Sequence, residues 1–143
     1  MLFTAAKRLD DFEALYALLE KNDIRYELMD DRRVQCFVPS CGGDIPLYFG
    51  IDSFKMLVTL YSPVPFGISQ EKTADIAVAV CLINNALADG GFCFDMKTRM
   101  IYFKMTFSFY NGGIPDSVFE YMLSAAADAV EIYEPKLRII NDV

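Results

Sequence analysis

The chain has 143 residues and a formal net charge of −7, from 13 basic and 20 acidic residues. This length fits one domain over residues 1–143, which can bury roughly 70% of its unfolded surface without a disulfide or a metal. The acidic balance disfavours nucleic-acid partners and anionic membrane surfaces, because both attract clustered Lys and Arg. The densest basic pair, Arg32–Arg33, falls in a predicted turn.

Hydropathy also argues against membrane insertion. No apolar run approaches the roughly 18–20 residues that a bilayer-spanning helix needs. The N-terminal stretch MLFTAAKRLDDFEALYALLE has acidic residues where a signal peptide would have its apolar region. The four cysteines do not follow the spacing of a secreted disulfide framework. We therefore expect a cytoplasmic protein with no membrane partner.

The N-terminal half predicts one helix followed by three or four strands. The helix spans Asp10–Lys21, with Asp10 and Glu13 at the spacing of a capping box. Alternating or strongly apolar runs predict strands at 24–28, 34–38, 47–51 and 54–61, with a loop at 39–46. Pro63 and Pro65 are expected to prevent regular strand pairing beyond this point.

A second helix is predicted over Ser69–Ala88, with Ser69 as its candidate N-cap and Gly90–Gly91 as its end. The core stripe of this helix comprises Ile76, Val80, Ile83 and Leu87. Away from that stripe lie Val78, Cys81, Leu82 and Asn85. A helix that is apolar on several sides is usually covered on both. We expect helix three or a second subunit to supply the cover. A homodimer is predicted separately, with either helix two or the last strand as its surface.

The clearest strand pattern in the chain spans residues 101–110, where apolar and polar residues alternate. One face carries Ile101, Phe103, Met105, Phe107 and Phe109, and the other carries Tyr102, Lys104 and Thr106. We expect the second face to be solvated or covered by a partner. Pro115 is predicted in the first turn of helix three, and Pro135 is expected to end or kink that helix.

Candidate catalytic and ligand-binding motifs are few. The chain has no histidine, which removes the Ser-His-Asp and Cys-His systems. Cys36 and Cys41 are five residues apart and Cys81 and Cys93 twelve apart, which does not match structural zinc knuckles. Cys81 and Cys93 are expected to be inert core thiols. A Ser-Lys or paired-carboxylate enzyme remains open, although the acidic residues are scattered. We predict no catalytic residue, no metal and no cofactor.

Asn84 and Asn85 form a pair of amides near the end of helix two. In a functional interpretation, either amide could orient a ligand or a partner backbone. In a structural interpretation, a late-helix asparagine bonds a nearby carbonyl or the edge of a neighbouring strand, and so fixes the turn that follows. We favour the structural interpretation, with Asn84, Gly90 and Gly91 forming the joint, and leave the role of Asn85 open.

Two segments carry a family resemblance: CLINNALADGGFCFDMKTRMIYFKMTF and IPDSVFEYMLSAAADAVEIYEPKL. They resemble the YbjN domain family, in which a helix with an Asn-containing end leads through a small-residue turn to an aromatic strand. A hairpin, a second strand and a long helix with a near-terminal proline follow. The matching positions here are Asn84–Asn85, Gly90–Gly91, Phe92–Phe94, Met100–Phe107 and Pro135. The resemblance covers about residues 70–138.

The resemblance implies an α+β, type III secretion chaperone-like fold, a twisted antiparallel sheet with helices packed on it. The element order would be α-β-β-β(-β)-α-β-β-α. Members are described as bacterial sensory-transduction regulators, and the related secretion chaperones are small, acidic and often dimeric. No catalytic residues come with this resemblance.

The leading hypothesis is therefore a non-catalytic, chaperone-like regulatory domain that binds a protein partner. The residues expected to contact that partner are Val78, Cys81, Leu82, Asn85, Tyr102, Lys104 and Thr106. The alternative hypothesis is a small-ligand sensor with a pocket between the sheet and the helices. An enzyme is a third, less favoured class.

Overall fold

The structure is a computed structural model that describes residues 8–9, 12–30, 33–110 and 112–143. The strands are β1 (Arg8–Leu9), β2 (Arg25–Asp30), β3 (Arg33–Val38), β4 (Ile45–Asp52), β5 (Leu57–Gly67), β6 (Gly91–Asp95), β7 (Met100–Ser108) and β8 (Ile114–Pro115). The helices are α1 (Phe12–Lys21), α2 (Thr73–Ala86) and α3 (Asp116–Asp142), with a 3₁₀ turn at Gln70–Lys72 before α2. The predicted α+β class is confirmed, and so is the order of the three helices and the six strands β2–β7, whereas the two-residue strands β1 and β8 were not predicted.

The main sheet is antiparallel, with six strands in the order β2-β3-β4-β5-β7-β6. The short strands β1 and β8 pair with each other and bring the start of α1 close to the start of α3. A salt bridge of 2.7 Å between Lys21 and Asp116 also joins these two helices. Adjacent strands in sequence pair directly until β5, whose second neighbour is β7 rather than β6.

The hydrophobic core lies between one face of this sheet and the helices. Alternate residues of β4, β5 and β7 are buried, as the period of a strand with one covered face requires. Phe49 of β4 packs against Phe119 of α3 with ring centroids 5.6 Å apart, and both side chains are fully buried. Ile101, Phe103, Met105 and Phe109 also lie in this core, as their alternation predicted.

The first helix is described from Phe12, and its buried residues are Leu15, Leu18 and Leu19. The predicted capping residue Asp10 lies outside the described residues, and so does Arg32 of the predicted turn. The hairpin that this turn would close is present, because β2 and β3 pair with Leu28 opposite Val34.

The expectation that Pro63 and Pro65 would prevent regular pairing was wrong in part. β5 continues to Gly67, and Pro63 lies opposite Tyr102 of β7, with an irregular register from there to Gly67. The pairing of β5 with β4 ends at Tyr61, so a missing proline N–H costs no ladder bond on that side. The Ser62 hydroxyl donates to the Pro46 carbonyl at 2.7 Å and satisfies an acceptor that the ladder leaves free.

Ser69 precedes the 3₁₀ turn rather than α2, and its side chain makes no capping bond. The Ser69 N–H and hydroxyl instead donate to the Asn141 side chain, at 3.1 and 3.2 Å. Arg99 donates to the Ile68 and Ser69 carbonyls at 2.8 and 3.0 Å. The side chains of Asn141 and Arg99, both distant in sequence, therefore make hydrogen bonds to polar groups of the loop before α2. Local sequence spacing cannot reveal these contacts.

Pro115 was predicted in the first turn of helix three, and Pro135 was predicted to end or kink that helix; the position of Pro115 and the ending at Pro135 were wrong. Pro115 is the N-cap residue in an extended conformation, and the helix begins one residue later at Asp116. Pro135 lies inside the helix, which continues to Asp142. Burial of Leu137 and the bonds of Asn141 to the loop before α2 hold the last turns in place, and they offset the backbone bond lost at proline. Within the described residues, each helix is too short or too polar to traverse a bilayer.

Candidate functional site

The uncovered side of the sheet at β5 and β7 forms an open face, defined here as Thr59, Tyr61, Pro63, Tyr102, Lys104 and Thr106. Register brings these residues together in three cross-strand pairs: Thr59–Thr106, Tyr61–Lys104 and Pro63–Tyr102. Lys104 and Thr106 are exposed, and the other four are half-buried. Because their neighbours in sequence point into the core, these six side chains necessarily share the opposite side.

Aromatic rings dominate the centre of the open face and extend onto β4. Tyr48 and Tyr61 stack with ring centroids 5.2 Å apart and an interplanar angle of 13°. The Tyr48 hydroxyl accepts a hydrogen bond of 2.9 Å from Gln35. Burial, followed by the nearby Cys93 thiol, raises the pKa of the Tyr102 phenol. A depression of about 360 Å³ lies here, lined by Thr59, Tyr61, Pro63, Tyr102 and Lys104.

A second surface lies on α2, which contacts the core through Ile76 and Val80. The solvent side of α2 carries the four residues that the sequence placed off the core stripe. Val78 is 60% exposed and Leu82 is 67% exposed. Cys81 and Asn85 are also exposed, so the expectation that Cys81 would be an inert core thiol was wrong. A helical wheel shows that Cys81 lies off the core stripe of α2. It cannot show that α3 does not cover the side of α2 on which Cys81 lies.

The seven residues predicted to contact a partner therefore form two patches. Val78, Cys81, Leu82 and Asn85 lie on α2, while Tyr102, Lys104 and Thr106 lie on β7. Strand β6 contacts both elements, because it pairs with β7 and its Phe92 backbone is hydrogen-bonded to Asn84 of α2. Sequence reasoning missed Tyr48, Tyr61 and Pro63 of the same aromatic surface, although their period-two spacing along β4 and β5 was visible.

Asn84 bonds the backbone of β6 in the manner of a paired strand. Its Nδ2 donates to the Phe92 carbonyl at 2.9 Å, and its Oδ1 accepts from the Phe92 N–H at 2.7 Å. β6 is an edge strand, whose unpaired backbone groups would otherwise be a template for association. The amide of Asn84 therefore satisfies part of this edge, while Asn85 next to it faces solvent.

The glycines after α2 permit this close approach. A Cβ on Gly91 would lie 3.3 Å from the Asn84 Oδ1. Gly90 has a φ of +71°, and a Cβ there would lie 2.6 Å from side-chain atoms of Phe103 and Met105. Both the backbone conformation and the space at Gly90 exclude larger residues. The two glycines thus allow the turn after α2 to pack closely against Asn84, Phe103 and Met105.

The remaining nucleophilic and metal-ligating groups lie apart. Cys36 is buried, and burial raises the pKa of its thiol to about 12, which keeps it neutral. Cys93 is half-buried and Cys41 is exposed. In the stretches that the structure describes, no group of three or more Cys, Asp or Glu side chains is placed to hold a metal ion.

An antiparallel sheet with helices packed on one face and an open opposite face defines the class of the type III secretion chaperone-like α+β folds. The sequence model of the YbjN family, described as "Putative bacterial sensory transduction regulator", matches residues 11–138. The chain belongs to the YbjN family, and the resemblance predicted from residues 70–138 is confirmed over a longer stretch. A search of curated protein sequences gives no significant match.

Solved structures share the fold at low sequence identity. YbjN from E. coli superposes with a TM-score of 0.67 at 10% identity, covering 90% of this chain and 92% of the other. The HopA1–SchA chaperone–effector complex includes a chain with a TM-score of 0.55 at 10% identity, covering 89% of each chain. The ExsC–ExsE complex includes one with a TM-score of 0.55 at 14% identity, covering 90% of this chain and 97% of that chain.

Proposed function

We propose that this protein is a non-catalytic regulatory module that binds a segment of another protein on the open face of its sheet. The single observation that carries this proposal is the half-buried surface of Tyr61, Pro63 and Tyr102 on the open face, flanked by the exposed Lys104. Half-buried aromatic rings offer a large contact area, and their rigidity limits the entropy lost when a partner binds. Tyrosine is also enriched at protein interfaces relative to the rest of the surface.

The relatives support a protein partner rather than a substrate. Two solved structures with the same fold are complexes of two proteins, one of which is named as a chaperone with its effector. The family description is regulatory. We infer from these complexes that the partner of this chain is a protein, bound as a chaperone binds its effector. We also propose a cytoplasmic location, because Cys36, Cys41, Cys81 and Cys93 are all free thiols.

The α2 patch supports a second contact, which we assign to a homodimer. Val78 and Leu82 are large apolar side chains that lie one turn apart on α2, and both are more than half exposed. Neighbouring exposed apolar side chains of this kind often mark a protein interface. From Thr73 to Ala86 the only charged residue is Asp75, so two copies of this helix can approach without repulsion along most of its length. The small residues Ala74 and Ala77, which are also exposed, would let two helices come close.

A small-ligand sensor is the alternative function, and one cavity favours it. A space of about 420 Å³ lies between the loop before β4, the prolines of β5 and the last turns of α3. Its volume falls in the range of small-molecule sites. Glu131, Glu134 and Arg138 line it, and Arg138 is paired with Glu134 at 2.7 Å. Native mass spectrometry of freshly purified protein would detect a retained ligand as a fixed added mass.

Affinity purification with matched variants tests the proposed function. Thr106→Arg places a bulky charge on the open face, whereas Ser124→Arg makes a comparable change on the exposed side of α3. We expect a specific protein to be recovered with the wild type and with Ser124→Arg, and to be lost with Thr106→Arg. Equal recovery with both variants would contradict the proposal, provided that both retain the wild-type circular dichroism spectrum.

A further inference from the structure

The depression on the open face is shallow and open to solvent, and two of its lining residues are tyrosines with contacts of their own. It lies between Tyr61 of β5 and Tyr102 of β7, over Pro63 and Thr59. The Tyr61 ring is held on one side by stacking on Tyr48, and its hydroxyl interacts with the Arg33 side chain. The Tyr102 phenol interacts with Cys93. Each ring therefore has a contact within the protein before any ligand arrives.

The charge that lines this depression has the opposite sign to the charge of the chain, although, after burial, the nearby Asp95 carboxylate also raises the pKa of the Tyr102 phenol. The whole protein carries −7, yet in the part of the chain that the structure describes Lys104 is the only charged residue that lines the depression. Within the described residues, the salt bridges do not involve Lys104. An exposed ammonium that makes no salt bridge with a described carboxylate, beside the apolar depression (called the slot below), complements a ligand that presents a carboxylate next to an apolar group.

The backbone of the sheet constrains the rest of the ligand. Main-chain N–H and C=O groups of β5 and β7 point along the sheet toward neighbouring strands, so the open face offers a ligand side chains alone. A ligand whose own backbone needs few partners is favoured there. Polyproline II segments have no internal hydrogen bonds, lose little entropy on binding and dock in aromatic-lined grooves.

From these three observations we propose that the slot between Tyr61 and Tyr102 binds an extended, proline-containing protein segment that has an acidic residue beside the proline. The proline ring packs between the two tyrosines, and the carboxylate lies against Lys104. This inference rests on the proposed function, because it names the chemistry of the partner at the same face.

A titration followed by nuclear magnetic resonance tests the inference with the intact protein. The probe is an acetylated and amidated heptapeptide with a central glutamate, two prolines on each side and a glycine at each end. Matched probes replace the glutamate by glutamine or lysine, or the prolines by alanine. We expect amide shifts confined to residues 59–63 and 102–106 and their strand neighbours. The glutamine probe should bind about two- to fivefold more weakly, which is the usual contribution of one exposed charge pair.

Charge reversal at one position supplies the sharper test. With Lys104→Glu, the lysine probe should bind more tightly than the glutamate probe. The matched control is Lys97→Glu, which makes the same charge change at an exposed position in the turn after β6 and should keep the wild-type preference. Tyr102→Ala should weaken every proline probe at least about fivefold, because a truncated aromatic hot spot commonly costs more than 1 kcal/mol.

Three results would overturn the inference. The first is equal binding of the glutamate, glutamine and lysine probes, and the second is peptide-induced shifts located away from the slot. The third is tighter binding of a six-residue uridine oligonucleotide at the same residues, since bases also stack on tyrosine. None of these results removes the proposed function, which fails separately if Thr106→Arg leaves partner recovery unchanged.

Discussion

Asn84 illustrates how one side chain can close the edge of a sheet. The late-helix position of two adjacent amides predicted a structural joint, and the sequence placed Asn84 nearer the core stripe than Asn85. The structure adds the partner, which is the backbone of Phe92. The sequence could not identify Phe92, because the bonded pair depends on how α2 turns back along β6.

Replacing Asn84 should destabilise the fold. Asn84→Ala leaves a part-buried N–H and C=O of Phe92 without their present partners, so we expect a loss of about 1–3 kcal/mol in the free energy of unfolding. Asn85→Ala is the matched control, because it removes an exposed amide one residue away and should change stability by less than about 0.5 kcal/mol. Urea denaturation measures both. Equal effects of the two substitutions would contradict the role assigned to Asn84.

The buried thiol of Cys36 makes stability depend on pH. Burial raises its pKa from 9.0 to about 12, so between these values the unfolded chain loses a proton that the folded chain keeps. The folded state then binds more protons, and stability falls as pH rises, by up to about 1.4 kcal/mol per pH unit from this group. Well below pH 9 the thiol is protonated in both the folded and the unfolded chain, so the stability that this group contributes is fully present there.

Denaturation midpoints between pH 8 and pH 10.5 measure this slope. Cys36→Ala should lower stability at every pH but flatten the decline above pH 9. Cys41→Ala changes an exposed thiol and should keep the wild-type slope. A Cys36→Ala profile parallel to the wild type would show that another group causes the alkaline loss.

At the scale of elements, periodicity predicted strands and helix faces well and predicted their ends less well. The alternation over 101–110 identified the buried and exposed sides of β7 residue by residue. The prolines were misjudged for two different reasons. Pro63 and Pro65 lie beyond Tyr61, where the pairing of β5 with β4 ends, so their missing N–H groups cost no ladder bond on that side. Pro135 does cost a helical backbone bond, but the burial of Leu137 and the bonds of Asn141 offset that loss.

The exposed side of α2 carries the prediction of a homodimer. Leu82→Glu puts a charge in the middle of the α2 patch, and burying an unpaired charge at an interface is strongly unfavourable. We expect the wild type to be a dimer in light scattering at tens of micromolar, and Leu82→Glu to be a monomer of unchanged stability. Ile139→Glu is the control, because Ile139 is 64% exposed on α3, and that variant should stay dimeric. A monomeric wild type would contradict the prediction of a homodimer.

At the scale of the whole molecule, the fold class followed from element order and from a few structural residues between Asn84 and Pro135. The family match and the solved structures confirm that class. The composition of the open face could not be predicted in full, because Tyr48, Tyr61 and Tyr102 meet only through the registers of β4 with β5 and of β5 with β7. Contacts between strands far apart in sequence set that surface.

Site-specific photo-crosslinking in cells tests the central claim that the open face binds a protein partner. A benzoyl-phenylalanine at Thr106 lies on the open face, and the same residue at Ser117 lies on the exposed side of α3 as a control. We predict a discrete adduct with another polypeptide from position 106 and none of that mass from position 117. Absence of an adduct at 106, or the same adducts from both positions, would contradict the claim.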